Sequence, residues 1–163
     1  MRPTRIEPGA GQESAWDYPR PPRVEPTADL IVVEYAGHQI AHTTSAQRVL
    51  ETSQPPAFYI PRTDVDMDLL TASPRRTPCE WKGEANYFDL NIDGSRVREV
   101  AWSYESPMTP FLSIAGHLAF YAQKVSCSVA GEAVDPNEGS FYGGWITSKV
   151  VGPFKGGPGS AWW

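Results

Sequence analysis

Cysteine is nearly absent from this sequence: Cys79 and Cys127 are the only two in 163 residues. They lie far apart, with no Cys-x-x-Cys pair or Cys/His cluster, so the paired ligands of a zinc knuckle are missing. Two buried, reduced thiols are the expectation, ahead of a disulfide or a reactive cysteine. Long apolar runs are absent too. No stretch approaches the ~20 apolar residues of a membrane span, and no apolar leader precedes the folded part, so a cytoplasmic protein without membrane contact is expected. An excess of positive charge is the third absence. With 14 Lys and Arg against 19 Asp and Glu, the net charge is -5. No broad basic field exists to hold a phosphate backbone, which argues against a nucleic-acid partner.

Aromatics and turn formers are abundant: six Trp, seven Tyr, six Phe, 16 Pro and 14 Gly. Many turns and little long helix follow, so the expected fold is one compact, mainly β (α+β) domain built from antiparallel strands. The clearest local signal is Asp93-Gly94, a dipeptide suited to the positive φ angles of a tight hairpin turn. Phe88, Leu90 and Ile92 alternate before it, and Val100, Trp102 and Tyr104 after it. A two-residue turn would set Asp89 opposite Arg98 and Tyr87 opposite Val100. A three-residue turn would instead set Phe88 opposite Val100 and Asn86 opposite Trp102. The register stays open.

Four segments are expected along the chain: a disordered tail over 1–15, a proline-rich docking arm over 16–29, the β domain over 30–135, and a Gly- and aromatic-rich extension over 136–163 packed back on the body. Leu30 to Tyr35 and Gln39 to His42 read as a first hairpin around Ala36-Gly37, and Ala57 to Ile60 as a strand. Thr44 or Ser45 would cap a short helical turn over 46–51. Ser73 to Pro78 reads as a loop. Thr109-Pro110 is a helix-start pair, and Ile114, Leu118, Tyr121, Ala122 and Val125 recur at helical spacing, so one amphipathic helix is expected over about 110–125. Cys127 to Val134 reads as an outer strand turning at Gly131-Glu132. Gly152 and Gly157 imitate the start of a phosphate loop, but Pro158 stands where the lysine belongs and the match fails.

Several motifs occurring together resemble the DUF427 domain, a family of unknown function. They are Tyr59-Ile-Pro-Arg62-Thr-Asp64-Val, Cys79-Glu-Trp81-Lys82-Gly-Glu-Ala-Asn-Tyr87, Ala101-Trp102-Ser-Tyr104 and Ile114-Ala-Gly-His117-Leu-Ala-Phe-Tyr121. The arm Trp16-Asp-Tyr18-Pro-Arg20-Pro-Pro and the tail Tyr142-Gly-Gly-Trp145 with Gly152-Pro-Phe154-Lys-Gly look like the longer form of that family. The resemblance implies a β-tent-like architecture with one helix. The family also carries a nucleotidyltransferase label. That chemistry needs carboxylates on Mg²⁺ beside a phosphate cradle. Asp64, Asp66 and Asp68, at alternate positions, would share one face of a strand and are weak candidates for a divalent cation, with a solvated strand face the plainer reading. No cradle accompanies them.

The favoured function is a small-molecule site, binding or catalytic, with Tyr59, Trp81, Tyr87, Trp102 and Tyr104 as walls and Arg62, Lys82 and His117 as polar contacts. The same aromatics would equally fill a core, and both readings stay open. Catalytic candidates are Cys79 paired with His117, or Lys82 as a desolvated amine. His117 reads first as a half-buried histidine bonded to a carbonyl. The alternatives are metal-dependent nucleotidyl transfer and an interaction module that self-associates through the arm or tail. No cofactor is expected, and the partner is an unidentified small molecule.

Overall fold

The computed structural model describes residues 2–139 and 141–163. Strand accounts for 45% and helix for 9%, which puts the chain in the mainly β class. The first strands are β1 (Glu13–Ser14), β2 (Arg23–Pro26), β3 (Ile31–Tyr35), β4 (His38–Thr43), β5 (Gln47–Leu50) and β6 (Ala57–Tyr59). The middle of the chain forms β7 (Leu70–Cys79), β8 (Gly83–Ile92), β9 (Ser95–Ser103), β10 (Ala119–Phe120) and β11 (Ser126–Val129). Two-residue strands follow: β12 (Glu132–Ala133), β13 (Asp135–Pro136), β14 (Trp145–Ile146) and β15 (Val150–Val151).

Two four-stranded antiparallel sheets, in the orders β10-β9-β8-β7 and β12-β11-β3-β4, and a three-stranded sheet β2-β5-β6 make up the body. Their facing apolar residues, Ile31, Val33, Phe58, Leu90, Val100, Leu118, Phe120 and Trp145 among them, form the main core. Two turns close as the sequence leads one to expect. Ala36-Gly37 (φ 49° and 80°) joins β3 to β4, and Asp93-Gly94 (φ 50° and 78°) joins β8 to β9. The N-terminal residues meet the C-terminal extension: β1, within the 1–15 segment, pairs with β15 in parallel, and from the arm the Trp16 indole Nε1 donates to the Pro153 carbonyl at 2.8 Å.

The β8–β9 register follows neither expected alternative. Ile92 faces Ser95 across a two-residue turn, as does Leu90 Val97, yet Phe88 then faces Ala101 and Tyr87 faces Trp102. The ladder slips between Phe88 and Leu90, where Glu99 adopts φ 52°. Asp89, 1% exposed, fills this bulge: it accepts from the Glu99 N–H at 2.8 Å and from Arg96 Nε at 2.9 Å. Its partner is therefore Arg96 rather than Arg98. Burial alone would raise the Asp89 carboxyl, but the bonds from Arg96 and the Glu99 N–H outweigh it and hold the group below the ordinary carboxylate value. The slip has a consequence for the site. Val100 joins the main core while Trp102 and Tyr104 join a second, aromatic cluster.

Three local expectations are corrected. The helix over 110–125 does not form. Thr109–Ile114 is a short 3₁₀ segment with a kink at Phe111, Gly116 turns at φ 70°, and Ala119–Phe120 is a strand. Leu118, Ala119 and Phe120 are consecutively buried, and Leu118 exchanges backbone bonds with Ile60. A segment buried on both sides and paired to a strand satisfies the apolar spacing without a helix. The turn over 46–51 likewise gives way to β5 at Gln47–Leu50, because an isolated turn carries the full cost of helix nucleation whereas β5 gains two strand neighbours. Ser73 to Pro78 lies inside β7, where proline is tolerated because β7 is the sheet edge and Pro74 sits in a register shift.

Candidate functional site

The aromatic cluster is built by strand alternation. On β8, Ala85 and Tyr87 point to one face and Phe88, Leu90 and Ile92 to the other, so a single strand supplies both core and cluster. Trp102 and Tyr104, turned by the bulge, join Tyr87, and Tyr59 comes across from β6. The Trp102 indole Nε1 donates to the Tyr59 hydroxyl at 3.1 Å, with the two rings edge to face at 6.1 Å. Tyr121 packs against Trp102 at 4.6 Å.

This cluster borders a cavity of about 300 Å³. Tyr59, Trp81, Lys82, Tyr87, Trp102 and Tyr104 all line it, as does Cys79. The β7–β8 connection supplies Cys79 to Lys82 because Gly83 takes φ 109° and the Lys82 carbonyl accepts from the Met108 N–H at 3.0 Å, which folds the turn inward. Lys82 is consequently 8% exposed, its Nζ 5.7 Å from the Tyr104 ring and 5.9 Å from the Phe111 ring. The Tyr87 hydroxyl bonds Thr77 Oγ1 at 2.7 Å, and the Tyr104 hydroxyl neighbours the Cys79 thiol. Burial pushes the phenols of Tyr59, Tyr104 and Tyr121 well above the ordinary phenol value, so all three stay neutral. The aromatic walls carry tyrosine hydroxyls, and Lys82, Lys155, Glu51 and Glu80 add two ammonium and two carboxylate groups to the lining.

Arg62 and His117 are not brought to this cavity. Arg62 Nε donates to the Gly116 carbonyl at 3.0 Å and its guanidinium pairs with Glu105 at 2.5 Å. His117 is half-buried, with Nδ1–H donating to the Ala115 carbonyl at 3.2 Å. The structure therefore does not set His117 beside Cys79 in the cavity wall. Asp64, Asp66 and Asp68 do not share a strand face either. They sit on two 3₁₀ turns, Arg62–Asp64 and Met67–Leu69, where Asp64 accepts from Thr43 Oγ1 at 2.7 Å and Asp66 caps through the Asp68 N–H. Among the described residues no group of three or more His, Cys, Asp or Glu side chains is placed to hold a metal ion, and no helix is long and apolar enough to cross a membrane.

Sequence reasoning missed the residues that finish the cavity. Tyr121 was assigned to the helix stripe, and Phe141 to Gly144 with Lys155 come from the tail. Gly143 lies so close to Trp102 that a Cβ would fall 2.3 Å from the indole, and at Gly144 it would fall 2.4 Å from the Pro55 carbonyl oxygen. The glycine pair between two aromatics is the signal that could have found this close approach.

The family model described as "Domain of unknown function (DUF427)" matches residues 23–131. No curated protein matches the chain. The tail segments that complete the cavity lie outside the matched residues.

Proposed function

The chain belongs to the DUF427 family, and we propose that this protein binds a small organic molecule in its aromatic cavity. One observation carries the proposal. Tyr59, Cys79, Lys82, Tyr87, Trp102 and Tyr104, drawn from separate strands and turns, meet around one cavity of about 300 Å³, within the range of small-molecule sites. A core alone would close over its own rings, whereas these rings are buried and still border open space. Aromatic faces offer stacking area for a planar ligand, and the neutral phenols offer hydrogen bonds that fix its orientation. Metal-dependent nucleotidyl transfer has no such support, since the three aspartates do not converge.

The experiment is a thermal-shift screen of the full-length protein against metabolites and nucleotides, repeated on Trp102→Ala. A ligand at ~100 times its Kd adds roughly 2.7 kcal/mol, a shift of several degrees. Hits that stabilise the wild type and fail on a still-folded Trp102→Ala protein support the cavity. Hits that act equally on both place binding elsewhere.

A further inference from the structure

Resting on the reading that the cavity binds a small molecule, we infer that Lys82 anchors a carboxylate and that the ligand is a planar monocarboxylate. Lys82 is more than nine-tenths buried and lines the cavity, yet among the described residues it has no ion pair and no side-chain hydrogen bond. The carboxylates on the surrounding elements are engaged elsewhere or exposed. Glu51, which also lines the cavity, lies 3.8 Å from Arg20, Glu84 is 3.9 Å from Arg76, Glu105 pairs with Arg62, and Glu80, also in the lining, is exposed at the rim. The stem is buried and the ammonium faces the cavity, where the Tyr104 and Phe111 rings lie near it but supply no counter-ion. An ammonium held at a cavity wall without a counter-ion is a ready partner for an anion.

The class of anion follows from the neighbours. Around Lys82 the cavity offers tyrosine hydroxyls beside the ammonium, while its two carboxylates, Glu51 near Arg20 and Glu80 at the exposed rim, are turned to other surroundings, which suits a group that accepts. A phosphate dianion would call for an arginine fork or a nest of backbone amides. Among the described residues no arginine lines the cavity, and its second cation, Lys155, belongs to the tail. A single lysine ammonium set among the Tyr104 and Phe111 rings matches a singly charged, flat acid.

The test uses full-length protein with 2-naphthoate, its neutral amide 2-naphthamide and inorganic phosphate, read by calorimetry and tryptophan fluorescence. The acid should bind the wild type about tenfold or more tightly than the amide. Lys82→Met should remove that preference, and Lys82→Arg should retain it. Free Lys82→Met protein should melt at or near the wild-type temperature, because methionine keeps the apolar stem and no ion pair is lost. Equal affinity for acid and amide in the wild type would overturn the carboxylate anchor and leave the cavity reading standing. A preference that survives Lys82→Met would do the same, as would phosphate binding more tightly than naphthoate. A melting temperature lowered by several degrees in both Lys82→Met and Lys82→Gln would show that the ammonium is structural. Failure of both naphthyl probes to bind would overturn the cavity reading and the anchor together.

Discussion

Substituting Gly143 by Ala tests whether the tail really forms the cavity wall. A Cβ at Gly143 would stand 2.3 Å from Trp102 Cη2 and 2.5 Å from Cζ3, where ordinary contact begins at 3.4 Å. One surface must retreat by about 1 Å. The indole has little freedom, held by its bond to the Tyr59 hydroxyl and packed on Tyr121. The tail is held as well: the Trp145 N–H donates to the Pro56 carbonyl at 2.8 Å, and Trp145 is 1% exposed. Overpacking of this kind costs about 1–3 kcal/mol. For a domain of this size that lowers Tm by about 2–12 °C. The assay is thermal unfolding by circular dichroism of Gly143→Ala, Trp102→Phe and the double variant. Phenylalanine leaves room for the methyl group, so the double variant should recover stability relative to additivity by about 1 kcal/mol or more. An unchanged Tm for Gly143→Ala, or additive effects across the cycle, would refute the contact.

Asp89→Asn should destabilise the domain by about 1–3 kcal/mol at neutral pH, since a charged acceptor of Arg96 and of the Glu99 N–H is lost. The folded-state carboxyl lies below its ordinary value of 3.8, so the wild-type contribution is complete above that value and fades as pH falls below it. Denaturant midpoints of the two proteins should therefore converge in acid; a gap that widens as pH falls would refute the assignment. Thiol labelling of native protein should modify Cys79, half-buried in the cavity wall, and spare Cys127, which is 6% exposed with its thiol pushed up to about 12 by burial. Equal labelling of both, read by peptide mass spectrometry, would contradict that placement.

Much of the local structure was legible. Asp93-Gly94 and Ala36-Gly37 announce their hairpins because few residues accept left-handed φ angles. The apolar spacing of Ile114, Leu118, Tyr121 and Val125 misled because a short strand buried on both sides presents apolar residues at every position, helical spacing included. Residues 46–51 misled for a similar reason: a weak helix start is overridden by two strand neighbours. Of the candidate contacts, the aromatics and Lys82 converge, whereas Arg62 and His117 are drawn off by the Gly116 and Ala115 carbonyls.

By itself the sequence determined the class of fold, the hairpin turns and the aromatic residues available for a site, because turn chemistry and side-chain alternation are local properties. Only the tertiary structure decided that the aromatics border a cavity as well as a core. The bulge at Glu99 separates Trp102 from Val100, and the distant Gly143-Gly144 pair closes on the indole. It also decided that Lys82 has no ion pair among the described residues, since Glu51, Glu84 and Glu105 lie nearest Arg20, Arg76 and Arg62 on strands and turns brought together from across the chain. Pairings of that kind are set by long-range packing, which leaves no periodic trace in the sequence.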